Sequence, residues 1–328
     1  MLIDVDGAVQ LLMDGEVVAV PTETVYGLAA IATNPAAIAK IFEIKNRPAD
    51  NPLICHFHSI EQIQQYVTRI PANTLKLLHH FSPGPVSFML DIPQDSPLKF
   101  ATCGSSQVIA RIPGHPLFLS IIKKTMQPVA APSANTSGKV SPTTAEMVRN
   151  DLGEKINGIV DGGASSVGLE SSILDARSSN EIFILRPGAI GEKEIESVLP
   201  GLKVILQQDG GDRHIPGTKY AHYAPNTPIL SIENTSEIIE HPNAAVFLTL
   251  EAMQAIPRST LHAYTLKGIH LVNIGSTTDL NTMAKNFYQI IASVDQLNVS
   301  RAFFLVPDFG ISSLGKALQN RCHKIIAA

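Results

Sequence analysis

The sequence has no tryptophan, only three cysteines and no long uninterrupted run of apolar residues. A membrane-spanning helix needs roughly 20 predominantly apolar residues, so the sequence predicts no such helix. Cys55, Cys103 and Cys322 are odd in number, far apart and not arranged as C-x-x-C. This spacing argues against a structural zinc site and favours a reducing compartment.

Basic residues are also missing from the start of the chain, where Lys40 is the first. We therefore expect neither the positively charged region of a signal peptide nor the arginines of a transit peptide. Together with the missing apolar run, this predicts a cytoplasmic protein that is not attached to a membrane.

An excess of positive charge is absent too. Residues 1–200 hold 15 Lys and Arg against 20 Asp and Glu, a net charge of −5, and the remainder holds 10 against 9, a net charge of +1. Proteins that bind nucleic acid chiefly through its phosphates carry a basic surface. The charge balance therefore predicts weak or no direct binding of RNA.

The chain does have length and apolar content. Its 328 residues, 45% hydrophobic and 16% charged, predict globular structure with enough core for two domains. Alternating strand and helix patterns predict a first domain over residues 1–199 and a smaller parallel α/β domain over 228–328. Residues 200–227, rich in glycine and proline and without periodicity, are predicted to be a linker.

One stretch joins a strand end to a loop of small polar residues. An apolar segment ends at Pro132, and Ser133, Asn135 and Lys139 follow in a loop that supplies hydroxyl, amide and cationic groups. Small side chains let the backbone approach an anion, so such a loop is typical of nucleotide sites in α/β proteins. A surface turn made of the same residue types is the alternative.

Two helix starts are readable from the sequence. Asn34-Pro35 combines an N-cap residue with proline at the first helical position. Ser141-Pro142 is interpreted in the same way, and Thr143 with Glu146 fits a capping box. The N–H groups of this second helix start would provide a seat for phosphate beside the polar loop.

Basic residues at strand and helix ends are candidate anion ligands. Lys45 and Arg47 follow a predicted helix, where cations also complement the helix dipole. The planar fork of Arg47 suits phosphate or carboxylate. Arg111 interrupts an apolar strand, and its burial would be costly unless it met an anion, although an edge strand would expose it. His56 lies in a strand, where a packed core histidine is the alternative.

Taken in order, these stretches resemble the threonylcarbamoyl-adenylate synthases in their long form, which has an N-terminal YrdC-type domain. The last part of the chain resembles that family only in its length and α/β pattern. The motifs that carry the resemblance are PTETVYG (21–27), KNR (45–47), NPL (51–53), PGP (83–85), AAPSAN (130–135), SPT (141–143), GLESS (168–172), LRPG (185–188) and KYAHYAP (219–225).

The resemblance implies an α/β fold in which a twisted, open mixed sheet is followed by a smaller, Rossmann-like parallel domain. It implies a nucleotidyltransferase that forms threonylcarbamoyl-AMP and pyrophosphate from L-threonine, bicarbonate or CO2, and ATP. The product would pass to tRNA-modifying transferase proteins for threonylcarbamoyladenosine synthesis. Mg2+ is expected to enter with ATP, held through the phosphates rather than by protein metal ligands.

The resemblance also implies site residues by motif position. Ser172 stands where many relatives have threonine, which keeps the hydroxyl. Tyr223 and the surrounding linker are expected to fold across the nucleotide. The implied L-threonine site consists of Thr24, His56, Arg111 and Ser171. The implied ATP site consists of Arg47, Asn51, Ser133, Asn135, Ser141, Arg186 and Tyr223, with Lys45 and Arg47 as catalytic cations.

Three other functions remain open from the sequence. An RNA-binding module is disfavoured by the charge balance. A carbamoyl-transfer enzyme of hydrogenase maturation would carry added zinc-finger and acylphosphatase-like segments, for which three scattered cysteines leave no place. A non-catalytic scaffold is the third, although the residue set of cations, hydroxyls and loop N–H groups suits phosphoryl chemistry without a covalent nucleophile.

Overall fold

The structure is a computed structural model that describes residues 1–207 and 223–327. The described chain divides into two compact units. The first comprises residues 1–137 and 141–207, and the second comprises 138–140 and 223–327.

The described part of the first unit contains eleven strands and seven helices. The strands are β1 (Leu2–Ile3), β2 (Val18–Val20), β3 (Gly27–Ile31), β4 (Ile54–His56), β5 (Val86–Asp91), β6 (Gln107–Arg111), β7 (Val129–Ala130), β8 (Gly158–Val160), β9 (Ser172–Asp175), β10 (Glu181–Arg186) and β11 (Lys203–Leu206). The helices are α1 (Val5–Met13), α2 (Pro35–Lys45), α3 (Ile60–Gln64), α4 (Ala72–Phe81), α5 (Pro116–Thr125), α6 (Ala145–Leu152) and α7 (Glu192–Val198).

These strands form one mixed sheet in the order β1-β8-β2-β3-β7-β4-β6-β5-β9-β10-β11. Because side chains alternate along a strand, neighbouring residues of β4 and β6 belong to different apolar clusters. Cys55 and Ala110 pack into the largest cluster, whereas Ile54 and Ile109 lie on the other face. The mixed sheet of the first domain is confirmed.

The direction of the central strands places several predicted site residues at one edge. β4 and β6 are parallel and pair His56 with Arg111 at their carboxyl ends. β6 is antiparallel to β5, β5 is parallel to β9, and β9 is antiparallel to β10. The carboxyl end of β10, with Arg186, therefore lies at the same sheet edge as Arg111, and so does Ser171, which precedes β9.

Helix α2 begins and ends as its sequence dictates. The Asn34 side chain accepts hydrogen bonds from the N–H groups of Ala36 and Ala37, and proline occupies the first turn. The helix stops because Asn46 adopts a left-handed conformation, with φ of 49°, which breaks the helical path directly before Arg47. The predicted cap at Asn34-Pro35 is confirmed.

The prediction for the start of α6 is wrong. The N-cap is Thr144, whose hydroxyl accepts a hydrogen bond from the Met147 N–H at 3.2 Å. Ser141 and Thr143 lie before the helix, and the Ser141 hydroxyl is used elsewhere. Any hydroxyl residue in a run such as SPTT satisfies the local capping rule, so tertiary contacts decide which one caps.

The predicted linker over residues 200–227 is only partly described. Lys203–Leu206 within it forms β11, which pairs in parallel with β10. Parallel pairing depends on a partner strand elsewhere in the chain. A four-residue strand with no alternation of apolar and polar residues therefore cannot be predicted from its own sequence. Residues 208–222 lie outside the described residues, and the predicted domain limits stay predictions.

The second unit contains a smaller set of strands and helices. The strands are β12 (Ile229–Ser231), β13 (Ala245–Leu248), β14 (His270–Asn273) and β15 (Ala302–Phe304), and the helices are α8 (Leu250–Gln254), α9 (Arg258–Leu266), α10 (Leu280–Ser293) and α11 (Ser313–Ile326). The strands form one parallel sheet in the order β12-β15-β13-β14. This confirms the prediction of a smaller parallel α/β domain.

Among the helices of residues 1–207 and 223–327, none has the length and apolar character that a membrane span requires.

Candidate active site

Arg111 is held on three sides by the first unit. Its Nε donates to the Gly84 carbonyl at 3.2 Å and its Nη1 donates to the Thr24 hydroxyl at 3.0 Å. Its Nη2 lies 2.7 Å from Oε1 of Glu23. The anion that Arg111 was predicted to need is therefore present in the chain itself, in the loop between β2 and β3.

That loop is shaped by its own hydroxyls. The Thr22 Oγ1 accepts hydrogen bonds from the N–H groups of Thr24 and Val25, both at 3.1 Å, and donates to the Val25 carbonyl at 2.6 Å. This turn carries Thr24 and Glu23 to Arg111, so two residues of the PTETVYG motif orient its guanidinium. Burial opposes ionisation of Glu23, but Arg111 and the Gly114 N–H outweigh it and lower the pKa of Glu23.

His56 is buried beside Arg111. Its ring packs against Phe118 with the centroids 5.1 Å apart, as expected for a core histidine. Burial and the neighbouring Arg111 hold the pKa of His56 well below its usual range, so the imidazole is neutral at neutral pH. Its Nδ1 has no hydrogen-bond partner among the described residues, which leaves that nitrogen available to a ligand.

Lys45 is fully buried at the end of α2. Its ammonium donates to the backbone carbonyls of Ser133, at 2.6 Å, and of Asn135. The polar loop after β7 is thus attached to the helix through one cation. Burial and the neighbouring Arg47 lower the pKa of Lys45 well below its usual range, an effect that Asp151 partly opposes.

Arg47 is fixed by the segment that follows it. Its Nε donates to the Asn51 carbonyl at 2.8 Å, and its Nη2 donates to Asn51 Oδ1 at 2.8 Å and to the Pro52 carbonyl at 2.7 Å. Burial and the nearby Arg186 lower the pKa of Arg47 to about 10. Asn51 therefore acts on this site by orienting Arg47.

Arg186 and Ser171 form a second hydrogen-bonded group. The Arg186 Nε and Nη2 donate to the Ser171 carbonyl at 3.0 and 2.9 Å, and Nη2 also reaches the Ser171 hydroxyl at 3.1 Å. That hydroxyl lies 2.8 Å from the Ser87 hydroxyl. Glu170, the residue before Ser171, accepts a hydrogen bond from the Ser141 hydroxyl at 2.7 Å.

The predicted residues of the first unit, apart from Ser141, fall into three sets. Thr24 and His56 accompany Arg111, and Ser133 and Asn135 surround Lys45. Asn51 orients Arg47, which is coupled electrostatically to Arg186, the partner of Ser171. Tyr223 belongs to the second unit, where its ring stacks on Tyr288 at 5.4 Å and lies beneath Arg321. The rest of the KYAHYAP motif up to residue 222 lies outside the described residues.

Sequence reasoning missed Glu23, Ser87 and Glu170. Glu23 and Glu170 stand inside the motifs PTETVYG and GLESS, so each was quoted without a role. Ser87 is an ordinary strand residue whose importance appears only when β5 and β9 pair. In residues 1–207 and 223–327, no group of three or more His, Cys, Asp or Glu is placed to hold a metal ion.

Two family profiles together match residues 10–188 and 190–327 of the chain. The family profile described as "Telomere recombination", which covers Sua5, YciO and YrdC, matches residues 10–188. The profile described as "Threonylcarbamoyl-AMP synthase, C-terminal domain" matches residues 190–327. The first profile match ends at residue 188 and the second begins at residue 190.

Two curated relatives and one solved structure are similar over almost the full chain. The threonylcarbamoyl-AMP synthase of Bacillus subtilis is 38% identical, covering 97% of this chain and 91% of that protein. The enzyme of the same name from Pyrococcus abyssi is 32% identical, covering 97% and 92%. The crystal structure of P. abyssi Sua5 complexed with L-threonine has a TM-score of 0.84 at 31% identity, covering 98% of this chain and 94% of that one.

Two profile matches, sequence similarity over 97% of the chain and a similar solved structure all indicate the same family. The likeness extends to the last part of the chain, where the sequence alone indicated only length and an α/β pattern. The chain belongs to the threonylcarbamoyl-AMP synthase family.

Proposed function

We propose that this protein is an L-threonylcarbamoyladenylate synthase, a nucleotidyltransferase. It joins L-threonine, bicarbonate or CO2, and ATP into threonylcarbamoyl-AMP, and releases pyrophosphate. The product is used for threonylcarbamoyladenosine modification of tRNA. The family supports this function, and the first unit supplies the residues with which we explain it.

One observation carries the proposal: two cations of the first unit lack a carboxylate partner. Lys45 is fully buried and Arg47 is half-buried, and neither forms an ion pair within the described part of the chain. Both are held by neutral carbonyl and amide oxygens. Burying charge without a counter-ion is costly, so these cations are suited to an anionic ligand such as the phosphates of ATP.

The amino acid is assigned to Arg111. Its guanidinium has five N–H donors, and the contacts within the chain do not use all of them. A substrate carboxylate binds there, with the Thr24 hydroxyl beside it and the neutral His56 nearby. Ser171 links this site to Arg186, because the two are hydrogen-bonded to each other.

The chemistry requires two bond-forming steps. The threonine amine first attacks CO2 to form a carbamate, losing a proton. A carbamate oxygen then attacks the α-phosphorus of ATP, and the bond to the bridging oxygen breaks to release pyrophosphate. Lys45, Arg47 and Arg186 bind and orient the phosphates and stabilise negative charge as it develops, which is the usual source of catalysis in phosphoryl transfer.

Mg2+ is proposed to enter as the counter-ion of ATP. An ion held by phosphate oxygens and water needs no cage of protein carboxylates, and none of three or more such ligands occurs in the described ranges. Bound in this way, it neutralises part of the triphosphate charge. The protein residues supply the remaining positive charge.

We further propose that the protein works in the cytoplasm and passes its product to tRNA-modifying transferase proteins. The net charge of −4 supports weak or no direct binding of tRNA. A steep loss of RNA affinity with rising salt would favour an RNA-binding function instead. ATP contacts by Tyr223 remain part of the proposal and rest on the family motif alone.

The test is a synthesis assay with the purified full-length protein. Incubation with ATP, Mg2+, labelled bicarbonate and L-threonine is expected to give labelled threonylcarbamoyl-AMP and an equal amount of pyrophosphate. Omission of L-threonine is the control. Pyrophosphate release at the same rate with and without L-threonine, and no labelled adenylate, would reject the function.

A further inference from the structure

Glu23 and Arg111 form a buried pair with unused bonding capacity on both partners. Their side chains are 12% and 4% exposed, and Nη2 of Arg111 lies 2.7 Å from Oε1 of Glu23. Within the described residues, Oε2 of Glu23 has no hydrogen-bond partner, and Nη2 makes no hydrogen bond of good geometry. Unsatisfied buried charged groups cost stability, so a pair left in this state suits a ligand that completes it.

Glu23 is held firmly enough to act as a recognition group. Its Oε1 accepts a hydrogen bond from the Gly114 N–H at 3.0 Å, and its backbone carbonyl accepts one from the Val167 N–H at 2.7 Å. A Cβ atom at Gly114 would lie 3.2 Å from Oε1, so the glycine permits this close approach. Two other loops of the first unit therefore hold Glu23, one through its carboxylate and one through its backbone carbonyl.

The charge of the pair restricts which ligands fit. Arg111 alone would accept any small carboxylate. Because Glu23 already neutralises it, a simple carboxylate brings a net negative charge into a buried site, and such burial is unfavourable. A zwitterion brings an ammonium with its carboxylate and keeps the site neutral.

We propose that Glu23 is a specificity residue for the amino group of the substrate. Its Oε1 holds Arg111, and its Oε2 accepts a hydrogen bond from the substrate ammonium while Arg111 binds the carboxylate. The inference rests on the proposed function and deepens it, since it explains how an amino acid is chosen over a hydroxy acid of the same shape. It concerns recognition only, because Glu23 keeps its negative charge throughout.

The experiment compares ligands that differ from L-threonine by one group. 3-Hydroxybutyrate lacks the amino group, and L-2-aminobutyrate lacks the hydroxyl. Dissociation constants are measured by calorimetry for the full-length protein and for Glu23→Gln, which keeps the size of the side chain and removes its charge. Glu16→Gln, which breaks the half-exposed ion pair of Glu16 with Lys40, is the matched control.

The wild-type protein and the Glu16→Gln control are expected to reject 3-hydroxybutyrate by at least about 100-fold relative to L-threonine, because a missing polar partner leaves a buried group unpaired. In Glu23→Gln this preference should fall by at least about tenfold. The preference for L-threonine over L-2-aminobutyrate and the affinity for ATP should be unchanged. A purely structural role would weaken all ligands together.

Two results would overturn the inference. One is a wild-type protein that binds 3-hydroxybutyrate as tightly as L-threonine, which needs no variant and is informative even if Glu23→Gln does not fold. The other is a folded, ATP-binding Glu23→Gln that keeps the full preference for the amino group. The proposed function itself fails only if the wild-type protein shows no threonine-dependent pyrophosphate release, so the two failures are distinguishable.

Discussion

At the scale of single residues, the first unit buries charged side chains whose hydrogen bonds or ion pairs we propose that a ligand completes. Lys45 is the clearest case. Its ammonium is fully buried, donates to two backbone carbonyls and has no carboxylate ion pair in the described part of the chain. Such a group is sensitive to any anion that arrives beside it, because the anion favours the protonated form.

At a pH above the lowered pKa of Lys45, where its side chain is uncharged in the free protein, binding of ATP is therefore expected to take up a proton at Lys45. The pKa of Lys45 is lowered in the unliganded protein, and the negative triphosphate raises it again. ATP affinity should be highest below the lowered pKa and fall as the pH rises through it, because the amine must then be protonated for binding. Calorimetry in buffers of different ionisation enthalpy measures this uptake.

Lys40 provides the control for that measurement, since it lies on the same helix but is partly exposed and paired with Glu16. Lys40→Met should keep the proton uptake, whereas Lys45→Met should lose both the uptake and much of the affinity. Equal proton uptake in wild type and Lys45→Met would contradict the assignment.

Arg47 is expected to depend on the shape of its guanidinium as well as its charge. Three hydrogen bonds to Asn51 and Pro52 hold the fork, and a lysine cannot reproduce them. Arg47→Lys should lower kcat/KM for ATP by an amount equivalent to about 2–4 kcal/mol of transition-state stabilisation. The measurement is the initial rate of pyrophosphate release.

Arg149→Lys is the matched control, because Arg149 is exposed on α6. Its rate should equal that of the wild type. An Arg47→Lys enzyme with wild-type kcat/KM would show that charge alone is needed at this position.

At this scale, the sequence predicted which charged residues are candidate anion ligands but not which groups of the protein they contact. Arg111 could be recognised as anomalous from its apolar strand, and the need for an anion followed. That the anion is Glu23 could not be predicted, because the two residues are 88 positions apart and meet only in the folded sheet. The family resemblance assigned Arg111 to the substrate carboxylate and gave no role to the carboxylate of Glu23.

At the scale of elements, α2 determines where the cations lie. Its start at Asn34 and its end at Asn46 are both local effects, and the start was predictable for that reason. β11 depends on a partner strand elsewhere in the chain. The sequence pattern also missed the cap at Thr144, because the competing hydroxyl of Ser141 is bonded to the distant Glu170. Helix ends set by neighbouring residues can be predicted from the sequence, whereas strands set by a distant partner cannot.

The left-handed turn at Asn46 is expected to be essential to the placement of both cations. Its φ of 49° suits asparagine or glycine and is unfavourable for a β-branched residue. Asn46→Val should lower the free energy of unfolding by about 1–2 kcal/mol and also reduce kcat. Asn46→Gly should retain both.

Thermal unfolding and initial rates check this pair of variants. Wild-type activity in a destabilised Asn46→Val would mean that the turn serves folding only. Because the two substitutions occupy one position, a difference between them reports on backbone conformation and not on lost side-chain contacts.

At the scale of the whole molecule, two units with separate cores are expected to unfold in two thermal transitions. ATP should raise the transition of the first unit, where Lys45 and Arg47 lie, by an amount equivalent to about 2.7 kcal/mol at a concentration of 100 times Kd. Scanning calorimetry of the full chain with and without ATP makes the test.

Phe287→Ala identifies the transitions, because Phe287 is fully buried in the second unit. It should lower one transition and leave the ATP-sensitive one in place. If ATP raised only the transition that Phe287→Ala lowers, the nucleotide site would have to be assigned to the second unit.

The strand order of the first unit has a consequence for the newly made chain. Leu2 pairs with Ile159, and β5 lies between β6 and β9. The early strands β1 and β5 therefore cannot complete their pairing until β8 and β9 have been synthesised. Glu23 contacts Arg111, which lies 88 residues later in the chain. Arg186 is the last of the proposed substrate-binding residues of the first unit to be synthesised. A nascent chain that ends before Arg186 is therefore expected to lack part of the proposed substrate site.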